Sequence, residues 1–168
     1  KQSNSAKAIS DFIPVISSVT FAPGETQKTI SIDLVDDFVR EPSESFIVQL
    51  GGATNAVIGS SSSANIVIED DDLPPTISIS DSSALEDTGS VNLTIALSNP
   101  SSESVSVDLA TSNGTALDNL DYSSYSATLV FSPGETSKSI SIAVLADTLD
   151  EFDETFIVAL SNATNASI

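Results

Sequence analysis

The sequence predicts an all-β chain, built as tandem immunoglobulin-like antiparallel β-sandwiches of about seven strands each. Three observations carry that reading. Apolar residues alternate with polar ones at period two through most of the chain, turn dipeptides interrupt the alternation at short intervals, and one long segment occurs twice at domain-sized spacing. Apolar periodicity of helical length is absent.

The elements follow in order. Strands are expected near 76–81, 89–98, 103–110, 126–131, 136–146 and 153–160, with 64–70 as the closing strand of the earlier module. Val91, Leu93, Ile95 and Leu97 share one face of their strand, as do Val105, Val107 and Leu109, then Ile140, Ile142 and Val144, then Phe156, Val158 and Leu160. Ser and Thr fill many alternate positions, which suits a solvated outer face. Pro23-Gly24, Asn99-Pro100, Asn113-Gly114 and Pro133-Gly134 mark the turns between the runs. Phe21, Phe46, Phe131 and Phe156 are expected as core anchors, because aromatics at strand spacing usually pack. Pro23-Gly24-Glu25 and its copy at 133–135 are expected to serve the turns, and Tyr122 and Tyr125 to pack with bonded hydroxyls.

The repeat runs from Val19 to Ile58 and returns without a gap from Leu129 to Ile168. Phe21 and Phe131 fix the offset at 131 minus 21, or 110 residues, and 21 of the 40 aligned positions are identical. Acidic loop residues are among the identities, so packing alone does not account for them. A solenoid unit is roughly 20 to 50 residues, whereas a sandwich domain needs about 100. The chain therefore divides into 1–73, the C-terminal part of a first module, a Pro-Pro linker at 74–75, and 76–168, a second module without its last strand. By this alignment the first module lacks the counterpart of 76–110 and the second that of 59–72, as expected of an excerpt from a longer array. Leu73, Pro74 and Pro75 are too few and too restricted to act as a loose tether.

Charge narrows the function. There are 24 acidic and 5 basic residues, a formal net charge of −19, with 4 basic and 11 acidic residues up to position 75 and 1 basic and 13 acidic beyond it. Phosphate backbones and anionic membrane surfaces are bound by clustered Lys and Arg, which this chain lacks, so neither nucleic acid nor direct membrane insertion is expected. With no Cys and no His, disulfides, thiolate sites and the usual imidazole base are all missing. An enzyme is not expected. Paired carboxylates hydrolyse glycosides only when they face each other across a cleft. Self-repulsion of this size disfavours a compact state unless cations offset it.

The acids gather in loops: Asp11, then Asp36, Asp37, Glu41 and Glu44, then the run Asp70, Asp71 and Asp72 in the first module. The second module has Glu86, Asp121, Asp147, Glu151 and Glu154. An isolated acidic run is usually solvated surface. Here the loop acids recur at one offset, and three clusters are expected to converge on one end of a sandwich. Hard carboxylate and carbonyl oxygens on flexible loops suit Ca2+, which takes six to eight of them, better than Mg2+, which holds tightly to an octahedral shell.

The same residues resemble a known family, the Calx-beta domain, found in sodium/calcium exchangers and in large surface proteins. The resemblance rests on LEDTG at 85–89, NGTA with a following DY at 113–122, FxPGETxKxIxI in both copies, DxxxExxESF at 37–46, DxxxExxETF at 147–156 and IVIEDDD at 66–72. It covers essentially the whole chain. It implies calcium ligands at Asp11, Asp36, Asp37, Glu41, Glu44, Asp70, Asp71 and Asp72, with the carbonyl of Val39, in the first module. In the second it implies Glu86, Asp121, Asp147, Glu151 and Glu154, with the carbonyl of Leu149. Ala146 stands where the first module has Asp36, which departs from the paired acids.

The function expected is a calcium-binding structural or adhesive repeat of a large extracellular or cell-surface protein, bacterial by the family's habit, with Ca2+ at the sandwich ends stiffening the joint. Its expected partners are calcium ions, neighbouring repeats of the same protein, and other surface proteins or glycans. The competing readings are a calcium sensor like the exchangers' regulatory domains and a passive spacer without metal.

Overall fold

The computed structural model describes residues 5–168. Its contacts divide the chain into two compact units, the first comprising residues up to Asp37 together with Pro42–Asp70, the second Phe38–Glu41 together with Asp71–Ile168.

In the first unit β1 (Glu44–Gln49) pairs antiparallel with β2 (Ser63–Ile68), Glu44 opposite Ile68 and Gln49 opposite Ser63. Phe46 is buried and its ring stacks on Phe12, with centroids 4.1 Å apart. Phe21 departs from the expectation of a core anchor, being 53% exposed. Its copy Phe131 is fully buried because it lies opposite Val105 in a paired strand, and no described strand of the first unit stands opposite Phe21 in that way.

The second unit carries two three-stranded antiparallel sheets. One has the order β3 (Ile77–Ile79), β4 (Ser90–Leu97), β7 (Ser137–Ala143), and the other β6 (Ser126–Phe131), β5 (Val105–Asn113), β8 (Phe156–Thr164). The alternation does what it predicts. Val91, Leu93, Ile95 and Leu97 of β4, Val105, Val107 and Leu109 of β5, and Ile140 and Ile142 of β7 are all buried in one core with Ile77, Tyr122 and Phe131. Burying a side chain of this size contributes about 1.5 to 3 kcal/mol, so the sheets are held chiefly by these inward rows. The strands are shorter at several ends than the sequence suggests, while β5 and β8 run on to Asn113 and Thr164.

The turn motif behaves alike in both copies. Glu25 N–H donates to the Ala22 carbonyl at 3.0 Å while its carboxylate accepts from Ala22 N–H at 2.9 Å, and Glu135 does the same with Ser132 at 2.9 Å each. Lys28 and Lys138 reach those carboxylates at 2.5 and 2.8 Å, holding both glutamates below the usual carboxylate range. Gly134 sits at φ 79°, the left-handed conformation such a turn requires. These glutamates thus serve the turn.

Gly114 has a different reason. A Cβ placed on it would lie 2.3 Å from the carbonyl oxygen of Thr155, which also accepts a hydrogen bond from Ala116 N–H at 2.9 Å. Gly114→Ala is therefore expected to push β8 away from the end of β5 and to destabilise the second unit by about 1 to 3 kcal/mol. Urea unfolding checks this, and an unchanged midpoint would contradict it.

Candidate metal centre

In the second unit the site is assembled from three loops. The 3₁₀ turn Glu86–Thr88 opens directly before β4 and ends at Gly89, whose left-handed backbone lets its N–H return to the Glu86 carbonyl at 3.4 Å. Asp121 is held by the tight turn before it: its N–H donates to the Leu117 carbonyl at 3.0 Å, and its carboxylate accepts from Leu117 N–H at 2.7 Å. Asn119, in the same turn, takes φ 65°, which asparagine tolerates. Next to Asp121, the Tyr122 ring stacks on Phe156 with centroids 4.2 Å apart, and its hydroxyl donates to Asn113 Oδ1 at 2.7 Å. The third loop follows β7. Asp147 N–H donates to Glu86 Oε1 at 2.8 Å, and Leu149 N–H to Asp147 Oδ1 at 2.6 Å.

These loops bring Glu86, Asp147 and Glu151 together, with one carboxylate oxygen from each inside a mutual distance of 4.8 Å and all three exposed. The Glu154 carboxyl lies within hydrogen-bonding reach of Asp121. Partial loss of solvent, followed by repulsion from Asp147, Asp121 and Glu86, raises the Glu151 carboxyl above its ordinary range. Glu154 is raised too, first by loss of solvent, then by the Asp121 hydrogen bond and by the charges of Asp121, Glu151 and Glu86. Beside the acids lies a cleft of about 1060 Å³, lined by Glu86, Asp121, Glu151 and Glu154 as well as by apolar residues.

The first unit repeats part of this design. Asp11 takes the same turn, its N–H donating to the Lys7 carbonyl at 3.0 Å and its carboxylate accepting from Lys7 N–H. Phe12 and Phe46 stack as Tyr122 and Phe156 do, and Asp11 and Glu44 bring carboxylate oxygens within 4.8 Å of each other. Asp36 and Asp37 follow Val35, whose N–H donates to the Asp11 carbonyl at 3.0 Å. Val39 and Glu41 lie on the 38–41 segment that packs with the second unit, where Arg40 N–H donates to the Pro100 carbonyl at 3.2 Å and the Arg40 guanidinium pairs with Glu103. Asp70, Asp71 and Asp72 directly follow β2 and Glu69.

The donor chemistry fits calcium. Two oxygens on opposite sides of a Ca2+ ion are about 4.6 to 5.2 Å apart, twice the usual ligand distance, so oxygens within 4.8 Å of one another can share one ion. Roles that the sequence did not disclose are those of Asn113, whose Oδ1 accepts from both Tyr122 and Asp118, and of Leu117, whose N–H fixes Asp121. The signal for the second was present, since the 110-residue offset places Lys7 on Leu117 and Asp11 on Asp121.

The Calx-beta domain model matches residues 1–72 and 70–167. The chain belongs to the Calx-beta family. It is 32% identical over 160 residues to the adhesion G-protein coupled receptor V1 of Danio rerio, 29% identical over 178 residues to the extracellular matrix protein 3 of Lytechinus variegatus, and 29% identical over 160 residues to the sodium/calcium exchanger Calx of Drosophila melanogaster. At least 94% of the chain is covered in each case, yet the chain spans only 3%, 6% and 17% of those relatives' lengths. The crystal structure of CBD12 from CALX1.2 is similar over 94% of this chain and 63% of that one, at 27% identity and a TM-score of 0.50. This Calx-beta pair is thus an all-β member of a family represented in adhesion, matrix and exchanger proteins. Among its described residues, no helix is long and apolar enough to cross a membrane.

This charge crowding has a measurable consequence. A carboxyl whose folded pKa is raised stabilises the fold fully below its unfolded value, about 4.3 for glutamate, and that contribution is lost as pH rises through the raised value. Glu151→Gln should therefore melt higher than the parent in chelator near pH 7, with the difference closing at about pH 4. Asp108 acts in the opposite sense. Hydrogen bonds from Thr128 and Asn162 lower it, so its contribution is present above the unfolded value and is lost on acidification in parent and variant alike. Thermal melts across pH read the difference between the two proteins, and parallel curves would contradict the crowding.

Proposed function

We propose that the chain is a calcium-binding structural or adhesive repeat of a large extracellular or cell-surface protein, without catalytic activity. The observation that carries this reading is the convergence of Glu86, Asp147 and Glu151 on one exposed point in a chain of net charge −19. Asp121 and Glu154 extend that ligand set, with the Leu149 carbonyl. The earlier module supplies Asp11, Asp36, Asp37, Glu41, Glu44 and the run 70–72, with the Val39 carbonyl. Bound Ca2+ supplies the positive charge that these oxygens lack, and the residues' own part is to hold it at the loop ends. The module boundary lies at Pro74-Pro75, next to the acidic run, so filling the sites stiffens the joint between neighbouring repeats. The adhesion receptor and matrix protein among the relatives support the extracellular setting, and bacterial parentage rests on the tandem copies and scarce lysine.

Affinity discriminates this function from a second reading, a calcium-sensing regulatory pair, which the exchanger relative favours. An extracellular structural module binds with Kd on the order of 0.1 to 1 mM, a sensor with about 0.1 to 10 µM. Equilibrium dialysis with radioactive calcium measures it directly. Submillimolar uptake supports the structural role, micromolar uptake the sensor, and none up to millimolar calcium removes both.

A further inference from the structure

We propose that the outer edge of β6 is a homotypic interface, on which β6 of a second copy of this chain pairs antiparallel about a two-fold axis. Among the described residues β6 pairs with β5 along one edge and with no strand along the other. The repeat itself leaves this edge at the margin. In the first unit β2 pairs with β1, whose sequence copies that of β8, so the strand that completes a module belongs beside β8, on the opposite side of β5 from β6. Just before β6, Thr111 N–H donates to the Tyr125 carbonyl at 2.9 Å and Tyr125 N–H donates to Thr111 Oγ1 at 2.8 Å, so both backbone groups of Tyr125 point to β5. Backbone groups alternate in direction along a strand. Ala127, Leu129 and Phe131 therefore bond towards β5, while Ser126, Thr128 and Val130 present their N–H and C=O groups outward.

Charge selects the occupant. Edge strands that stay single are commonly blunted by Lys, Pro or a bulge, and β7 carries Lys138. β6 has none of these, and no charged residue occurs from 122 to 134. In a chain of net charge −19 most surfaces repel a second copy, so two copies can meet along an uncharged strand, whereas a basic partner is drawn to the acidic loops instead. The register follows from the same alternation. A two-fold axis perpendicular to the sheet and centred on Thr128 sets that residue opposite its own copy and Ser126 opposite Val130 of the second copy, so every outward backbone group of the three finds a partner. Their side chains are exposed on one face, Val130 by 51%, and opposed residues share that face. Asp108, opposite Thr128 on β5, then stands about 14 Å from its copy, three strand spacings away and beyond the Debye length of about 8 Å at physiological salt. This pairing needs no calcium and would join repeats side by side.

Sedimentation velocity of the whole chain in chelator, from about 1 µM to about 1 mM, tests it. A reversible dimer is expected, tighter at about 0.5 M salt than at about 0.05 M because screening weakens the repulsion between copies. Ser126→Lys with Val130→Lys sets like charges opposite each other at both ends of the pairing and should weaken the dimer about tenfold or more. Ser126→Lys with Val130→Glu sets opposite charges there and should hold the dimer within about threefold of the parent. A parent that stays monomeric at the highest concentration, or equal behaviour of the two variants, would overturn the proposal. Hydrogen exchange needs no variant. The amides of Ser126, Thr128 and Val130 should slow as the parent dimerises, and slowing confined to β8 would overturn the proposal as well. Either failure leaves the calcium reading untouched, since every measurement is made in chelator.

Discussion

In millimolar calcium the second unit is expected to melt far above its midpoint in chelator, and the pair Asp147→Asn with Glu151→Gln is expected to abolish that gain. One site with a Kd of about 0.1 mM, held in about 10 mM calcium and so at a hundredfold excess, adds about 2.7 kcal/mol, which for a domain of this size corresponds to about 10 to 20 °C. Against a total stability of about 5 to 15 kcal/mol this is a large effect. The variant also has a second, opposite signature. Removing two of the charges that crowd around Glu86 relieves repulsion, so in chelator it should melt above the parent. Calorimetric scans of both proteins in both buffers give four midpoints. A parent unmoved by calcium, or a variant that responds as the parent does, would end the assignment of these residues to the ion.

The other large effect is a contrast between two copies of one residue. Phe131→Ala should cost about 3 to 5 kcal/mol, because its fully buried ring lies opposite Val105 in a packed core and its loss leaves a cavity. Phe21→Ala, at the same place in the repeat, should cost under about 1 kcal/mol because that ring is already half in water. Urea unfolding of the two variants, with tyrosine absorbance and far-ultraviolet circular dichroism as probes, measures the difference. Equal losses would mean that the ring at 21 packs as its copy does.

That contrast also shows where sequence reading stops. The motif FxPGETxKxIxI forms a Pro-Gly turn in both copies, since a turn is settled by its own few residues. Ser137–Ala143 is a strand, whereas its copy at 27–33 belongs to no named strand, because β7 exists through its pairing with β4. Alternation identifies which side chains face inward, as the buried rows of β4 and β5 bear out, but supplies no partner. The candidate site divides in the same way. Glu86, Asp147 and Glu151 could be named from recurring loop acids and family motifs. Their approach to within 4.8 Å depends on backbone donors such as Asp147 N–H to Glu86, which no spacing rule encodes.

The stacked pair Tyr122 and Phe156 has a practical consequence. The chain has no tryptophan and two tyrosines, so its near-ultraviolet emission comes from Tyr122 and Tyr125 alone. One of these two fluorophores sits immediately beside Asp121, its ring clamped by Phe156 and its hydroxyl tied to Asn113. Any ion that reorders the Asp121 turn must alter the surroundings of that ring, which gives the second module a native optical gauge that needs no attached dye.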